Sequence, residues 1–352
     1  MFNKKKEKTD SPQVDPALAQ AGIDGLVGID VANSTIKVWA DGDQKAYYRN
    51  TVREIKDAGL VYSFKTDYHM YVLDNQVYEV GDISVAGSGA RGNSRYGSKP
   101  FRVEAAIGIA HVMKPGVKKR RRVVTGVPSA LAKNAKVLED VKKSLLGEYK
   151  IKSVLWEKVE DIEFEIVDVI VVPQPLGTMY AYLYDPSTGK LNDKLITQKA
   201  LVVDIGWGTT DIAILEAGRV RSTFGFELGT SDYISSIQEA VNAEMPEANI
   251  QALNPHELDV KLLEGPNVET PFGVFDLSKF AANAKQEQAE KIYNEVMGLG
   301  LEFSKFYKII FTGGGSLLYS DLLISQFNDP RLIIQDDAVM ANVHGFYLLG
   351  KQ

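Results

Sequence analysis

Apolar residues in this chain come mostly in short β-branched runs that end at Gly, Asn or Asp, and later in stretches of helical spacing. That alternation marks an α/β fold. Runs at 25–31, 35–41, 44–50, 59–64 and 69–73 predict strands. A helix is expected from Pro100 to Met113, stopped by Pro115-Gly116. RRVVTGVP, ending at Pro128, reads as a buried strand leaving a turn, followed by a Lys-rich helix from Ser129 to Leu146. Strands at 149–157 and 161–172 and a helix from Pro175 to Tyr184 complete the first half. The second half repeats the theme. Strands are expected at Leu201–Ile205 and Thr210–Leu215, and a helix at Gly229–Glu244. A long helix between Leu277 and Tyr307 would put Ile292, Val296, Leu299 and Phe303 on one face, before a KIIF strand that ends at Gly313. Met245–Phe275, rich in Pro and Asn, shows no clear period.

Each half opens with the same device. GLVGIDVANSTIKVWADG, from Gly25 to Gly42, aligns with ALVVDIGWGTTDIAILEAG, from Ala200 to Gly218. An apolar strand ends in a carboxylate, a turn of small residues follows, and a second apolar strand leaves. Asp30 matches Asp204 at an offset of 174 residues, as Thr35 matches Thr209 and Ile36 matches Thr210. Small residues in a hairpin permit close approach and unusual backbone angles, so their N–H groups and hydroxyls converge into a nest for an anion. Asn33, Ser34 and Thr35 in the first turn and Gly206, Gly208, Thr209 and Thr210 in the second are therefore candidate phosphate contacts. A carboxylate would repel phosphate, so the fitting job for Asp30 and Asp204 is to hold Mg²⁺ through its waters. One such turn is ordinary; two, half a chain apart, imply a cleft that grips a polyphosphate from both sides.

A third element is KIIFTGGGSLLYSDLL, from Lys308 to Leu323, in which Gly313, Gly314, Gly315 and Ser316 lie between a strand and a helix. Glycines there let a base and ribose lie against the backbone at a helix amino terminus.

Composition narrows the partners. The 352 residues carry 40 Lys and Arg against 46 Asp and Glu, a net charge of -6, which is the wrong sign for direct DNA binding over a broad face. With no cysteine, thiol catalysis and zinc–thiolate sites are excluded. The histidines, His69, His111, His256 and His344, form no metal-binding spacing. No apolar run approaches the length of a transmembrane helix, and the amino terminus lacks the apolar run of a signal peptide. A cytoplasmic location is the default, with residues 1–22 as a disordered tail. Lys118–Arg122 is read as a charged, solvated run rather than a nucleic-acid site.

These segments together resemble the actin superfamily, and within it the bacterial plasmid-segregation actins of the ParM type. Gly28-Ile29-Asp30 through Lys37 is similar to the first phosphate hairpin, and Asp204 through Asp211 to the second. Val123–Pro128 is similar to the central strand and turn of the first domain, Thr312–Ser316 to the adenosine loop, and Asp336–Gly350 to the closing helix. The resemblance implies an actin-like fold of two duplicated RNase H-like domains around a nucleotide cleft. It divides the chain into a first domain of residues 23–173 plus 331–352 and a second of 174–330. It also implies a phosphate contact for Lys37, Mg²⁺ with ATP or GTP in the cleft, and catalysis by Asp204 and by Gln174, which would orient the attacking water. Trp207 departs from the pattern, standing where a small residue is usual, and Lys261–Glu264, where a purine contact is expected, matches poorly.

Filament formation, slow ATPase activity, plasmid partition and a small basic DNA-binding adaptor follow from the likeness alone. The alternatives are a small-molecule kinase of the same superfamily and a cell-shape actin homologue. A kinase would need a catalytic aspartate, for which Asp82 is the nearest candidate, in an unmatched context. MFNKKKEK offers only Met1 and Phe2 to a membrane, so anchoring is not expected. Only Lys351 and Gln352 follow Gly350, so no client-binding domain of the chaperone kind is expected.

Overall fold

The computed structural model describes residues 16–56, 69–82, 93–155, 158–185, 188 and 190–352. A first sheet takes up β1 (Gly25–Val31), β2 (Thr35–Ala40), β3 (Gln44–Arg49), β4 (Arg53–Ile55), β5 (His69–Leu73), β6 (Gln76–Val80), β7 (Lys119–Val127), β8 (Gly147–Leu155) and β9 (Lys158–Pro173). Its spatial order is β3-β2-β1-β7-β9-β8-β5-β6-β4. After a small ribbon of β10 (Tyr184–Asp185) and β11 (Lys190–Leu191), a second sheet forms from β12 (Ala200–Ile205), β13 (Thr210–Glu216) and β14 (Arg219–Phe226). β15 (Asn267–Thr270) and β16 (Gly273–Asp276) make a separate hairpin, and β17 (Lys308–Thr312) and β18 (Leu332–Ile334) complete the second sheet in the order β14-β13-β12-β17-β18.

The two sheets share one wiring. In each, three antiparallel strands lead into two parallel ones, β3-β2-β1-β7-β9 in the first and β14-β13-β12-β17-β18 in the second. The duplicated hairpins seen in the sequence are therefore the central hairpins of two duplicated sheets.

Side-chain alternation decides what each sheet offers to the other. Val27, Ile29 and Val31 point into a core with the Lys99–Ala110 helix, whereas Gly28 lies against the Ala341–Leu349 helix. Likewise Leu201, Val203 and Ile205 face the helices Thr230–Glu244 and Ser278–Gly298, while Val202 packs with Met179 and Leu183 of the Gln174–Leu183 helix. Asp30 and Asp204 share the parity of Gly28 and Val202, so both carboxylates come out between the two sheets. The helices Gln174–Leu183 and Ala341–Leu349 cross there at bare backbone: a Cβ on Gly345 would lie 1.7 Å from the Gly177 carbonyl oxygen.

Several boundaries differ from expectation for local reasons. Residues 16–22 are not a free tail: a short helix, Pro16–Gln20, buries Leu18 against Ile23 and Leu26, while residues 1–15 and the strand expected at 59–64 lie outside the described residues. The Lys-rich helix starts at Ala135 instead of Ser129, because the Asn134 side chain accepts the N–H groups of Lys136 and Val137 as its cap. The long helix ends at Gly298, where Gly300 turns the chain with φ +64°, so Phe303 falls in a separate 3₁₀ turn. β18 still pairs with β17, so the second sheet extends to Ile334. Lys118, Arg120, Arg121 and Arg122 each have an acidic partner, in Glu148, Glu165, Asp41 and Asp168, so the basic run is largely neutralised. No helix among the described residues is long and apolar enough to cross a membrane.

Candidate functional site between the sheets

The turn after β1, Ala32-Asn33-Ser34, is held from behind at every residue. Ala32 N–H donates to Thr35 O (2.9 Å), Asn50 Nδ2 to Ala32 O (3.0 Å), Asn50 N–H to Ser34 O (2.9 Å) and Arg95 Nη1 to Asn33 Oδ1 (3.1 Å). Arg95 is 1% exposed and also pairs with the buried Glu104. Asn33 is exposed, while Ser34 and Thr35 are buried and serve mainly to shape the turn.

The second turn is braced differently. Thr230 N–H and Ser231 N–H, at the start of the Thr230–Glu244 helix, donate to Gly206 O (3.1 Å) and Trp207 O (2.7 Å). Trp207 packs against the second core and stacks on His256 with ring centroids 4.2 Å apart. The departure at Trp207 is thus accommodated by an aromatic partner in the second lobe. Gly208 and Thr209 are exposed, and a Cβ at Gly208 would meet nothing within 4 Å. Thr210, expected to contact phosphate, is fully buried and donates its hydroxyl to Leu228 O (2.8 Å), where it fastens the corner between β14 and the Thr230–Glu244 helix.

In the glycine loop the three residues divide the work. A Cβ on Gly313 (φ +81°) would lie 2.4 Å from Asp204 Oδ1 and from Ile205 O, and one on Gly315 would lie 2.2 Å from the Ile205 side chain. Both let the loop close onto the end of β12. Gly314 faces open space with nothing within 4 Å of a Cβ. Ser316 is fully buried and donates its hydroxyl to Gly313 O (2.8 Å), so it sets the loop's shape and does not line its open side.

The chemistry converges on Lys37. Its Nζ is 3.3 Å from Asp30 Oδ2, and Gln174 Nε2 donates to Asp30 Oδ1 at 3.2 Å. Burial opposes the charge of Lys37, but Asp30, its ion-pair partner, and the nearby Asp204 outweigh it and raise its pKa, so this cation feels carboxylates from both sheets. Burial raises the Asp204 carboxyl, against the pull of Lys37 and of Asn342, whose Nδ2 donates to Asp204 Oδ2 at 2.6 Å. Across the hairpin from Asp204 stands Asp211, pushed up to about 6 by burial and then by Asp204, while Thr209 and the Ser129 backbone of the other lobe hydrogen-bond it. Gln174 reaches the site because β9 runs directly into its helix between Pro173 and Pro175, and because Gly126 leaves room for it.

Among the described residues no three His, Asp or Glu side chains are grouped to hold a metal ion by themselves. Two carboxylates beside a lysine and open backbone loops fit Mg²⁺, which keeps its waters and shares phosphate oxygens. Of the two carboxylates, Asp204 is the more accessible; Asp30 is 2% exposed. Asp211 and Asn342 are the residues that sequence reasoning passed over. Asp211 had a signal, since it stands seven residues after Asp204 as Lys37 does after Asp30.

Comparison with known proteins agrees with this geometry. Residues 28–177 match the model for the actin-like proteins N-terminal domain, and residues 202–324 the model for the archaeal actin homologue MreB-like C-terminal domain. A 15-stranded ParM filament from Clostridium botulinum is similar in structure, with TM-score 0.74, 20% identity and coverage of 94% of this chain and 99% of that one. The archaeal actin homologue Ta0583 in complex with ADP superposes with TM-score 0.70 at 18% identity, covering 93% and 99%. Apo pSK41 ParM does so with TM-score 0.68 at 20% identity, covering 93% and 96%. No curated protein matches by sequence.

Proposed function

Because this chain belongs to the actin-like superfamily, we propose that it is a nucleotide-dependent, filament-forming ATPase of the cytoplasm. The observation that carries the reading is that Asp30 and Asp204, from duplicated hairpins of two sheets, both come out between the sheets, where Gln174 Nε2 donates to Asp30 Oδ1 and Asn342 Nδ2 to Asp204 Oδ2. The lobes are taken as residues 23–173 with 331–352, and 174–330, with β18 still paired to the second sheet. Asn33, Gly206, Gly208, Thr209 and Lys37 would hold the phosphates, and Gly313–Gly315 would let the nucleoside approach. Asp204, and Asp30 behind Lys37, would hold hydrated Mg²⁺, which supplies charge stabilisation to the transferring phosphoryl group. Gln174 is neutral, so it would orient the attacking water without removing its proton, and slow hydrolysis follows.

A triphosphate touching both turns would favour the closed, assembly-competent arrangement, and loss of the γ-phosphate would weaken that bias. Self-association into filaments is supported by the ParM filament among the structural relatives. Plasmid DNA as cargo, bridged by a small basic DNA-binding adaptor, suits the net charge of -6 better than direct DNA binding does. The kinase alternative's candidate aspartate, Asp82, lies 3.7 Å from Arg53 of β4, at the edge of the first sheet away from β1.

Sedimentation and light scattering after addition of Mg-ATP or Mg-GTP, with phosphate release followed in parallel, test the proposal. Nucleotide-dependent polymer with slow phosphate release is expected. Sugar-stimulated ADP release without polymer would overturn it.

A further inference from the structure

Asn342 has both ends of its side chain engaged, and the two ends reach different parts of the molecule. Its Oδ1 accepts the backbone N–H (3.2 Å) and the hydroxyl (2.6 Å) of Thr178, on the Gln174–Leu183 helix. Its Nδ2 donates to Asp204 Oδ2 at 2.6 Å. Asn342 is 7% exposed and Thr178 is fully buried. Because Thr178 fixes the oxygen end, the amide can turn only its donor to Asp204.

The placement is as informative as the bonds. Gln174 and Thr178 are four residues apart on one helix and so share a face. From that face Gln174 reaches Asp30 directly, and Thr178 reaches Asp204 through Asn342. Both cleft carboxylates are therefore referenced to one helix. That helix is locked to the Ala341–Leu349 helix where the backbones of Gly177 and Gly345 touch and the Phe346 ring packs on Gly177.

We propose that Asn342 is a positioning residue that orients Asp204 toward the metal-bound nucleotide and ties that orientation to the crossing of the two helices between the lobes. Rotation of the second sheet against the helix pair draws Asp204 off the amide. An ion held by Asp204 therefore holds the lobes at one angle, and a change of that angle loosens the ion. This rests on the nucleotide reading above and deepens it by naming how one carboxylate is coupled to lobe closure.

The test uses Asn342→Asp, which keeps the size and removes the donor, and Thr178→Val, which removes one anchor of the oxygen end and covers the case in which the first variant does not fold. ADP binding is measured by equilibrium fluorescence across a magnesium titration. The angle between lobes is read by energy transfer between dyes on Val159→Cys and Leu263→Cys, exposed positions in a chain without cysteine. Removing a group that orients a metal-holding side chain typically weakens metal binding by about 10- to 100-fold. At least about a tenfold higher magnesium requirement is expected for Asn342→Asp and about threefold for Thr178→Val. Both variants should also lose the magnesium-dependent narrowing of the distance distribution at subsaturating ion; melting of the nucleotide-free protein should be little changed for Thr178→Val and lowered for Asn342→Asp, which sets a second buried carboxylate against Asp204. An unchanged magnesium requirement and unchanged distances in a folded variant would overturn the proposal. Failure of the unsubstituted protein to bind ADP with magnesium would overturn the nucleotide reading and the proposal with it, so the two failures are told apart.

Discussion

The two phosphate hairpins have the same backbone and opposite electrostatics. In the first, Asp30 pairs across the strands with Lys37; in the second, the equivalent pair is Asp204 with Asp211. The first hairpin is locally neutral and buried, with both oxygens of Asp30 engaged by protein. The second sets two acids opposite each other: burial and then Asp204 push Asp211 up to about 6, while burial, with a smaller push from Asp30, raises Asp204. Duplication supplied one geometry, and a single residue seven positions after each aspartate divided the labour. One hairpin carries its own cation opposite its aspartate; the other carries a second acid there, a pair that a bound cation would relieve.

Substitutions at these paired positions should break the comparison by decreasing amounts. Asp204→Ala removes the accessible carboxylate and is expected to weaken magnesium-dependent nucleotide binding on the order of a thousandfold, about 4 kcal/mol, by calorimetry. Unchanged binding would remove Asp204 from the site. Lys37→Met leaves Asp30 buried without its cation and should cost about 3 kcal/mol in denaturant unfolding. A loss below about 1 kcal/mol would mean that the first hairpin does not depend on the pair.

Asp211→Asn should act in the opposite direction on stability. The folded carboxyl titrates at about 6 against 3.8 for the ordinary group. Between those values the unfolded chain ionises first, so wild-type stability falls as pH rises from 3.8 to about 6 and then stays level. The amide removes that loss: a gain of about 2 to 3 kcal/mol is expected at pH 8, shrinking toward zero below pH 4. A gain independent of pH would contradict the electrostatic cause. Gln174→Ala should give the smallest change, slowing phosphate release by about tenfold while assembly persists. A normal rate would exclude it from orienting water.

Much of this site was legible because small residues and carboxylates at strand ends leave a local signature. Asp30, Asp204 and Gly313–Gly315 fell where the strand pattern put them, and alternation along β1 and β12 accounts for the direction in which the aspartates point. Hydroxyl direction was not legible. Thr210 and Ser316 have the right chemistry for phosphate, but their partners, Leu228 and Gly313, become visible only once the loop path is known. Trp207 looked like an intrusion because its partner, His256, lies far along the chain in a helix that shows no strong period. Asn342 was unreadable for the same reason, since both of its partners are more than a hundred residues away. β14, with its mixed exposure, and the Asn267–Asp276 hairpin lack long apolar runs and escaped the pattern.

Amide hydrogen exchange with and without Mg-ATP tests most directly whether two lobes grip one nucleotide. Slowed exchange is expected together at Asn33–Lys37, at Gly206–Thr210 and at Gly313–Gly315, with the same magnesium dependence in all three. Slowing confined to one hairpin, with the other unaffected at saturating nucleotide, would contradict the two-sided grip.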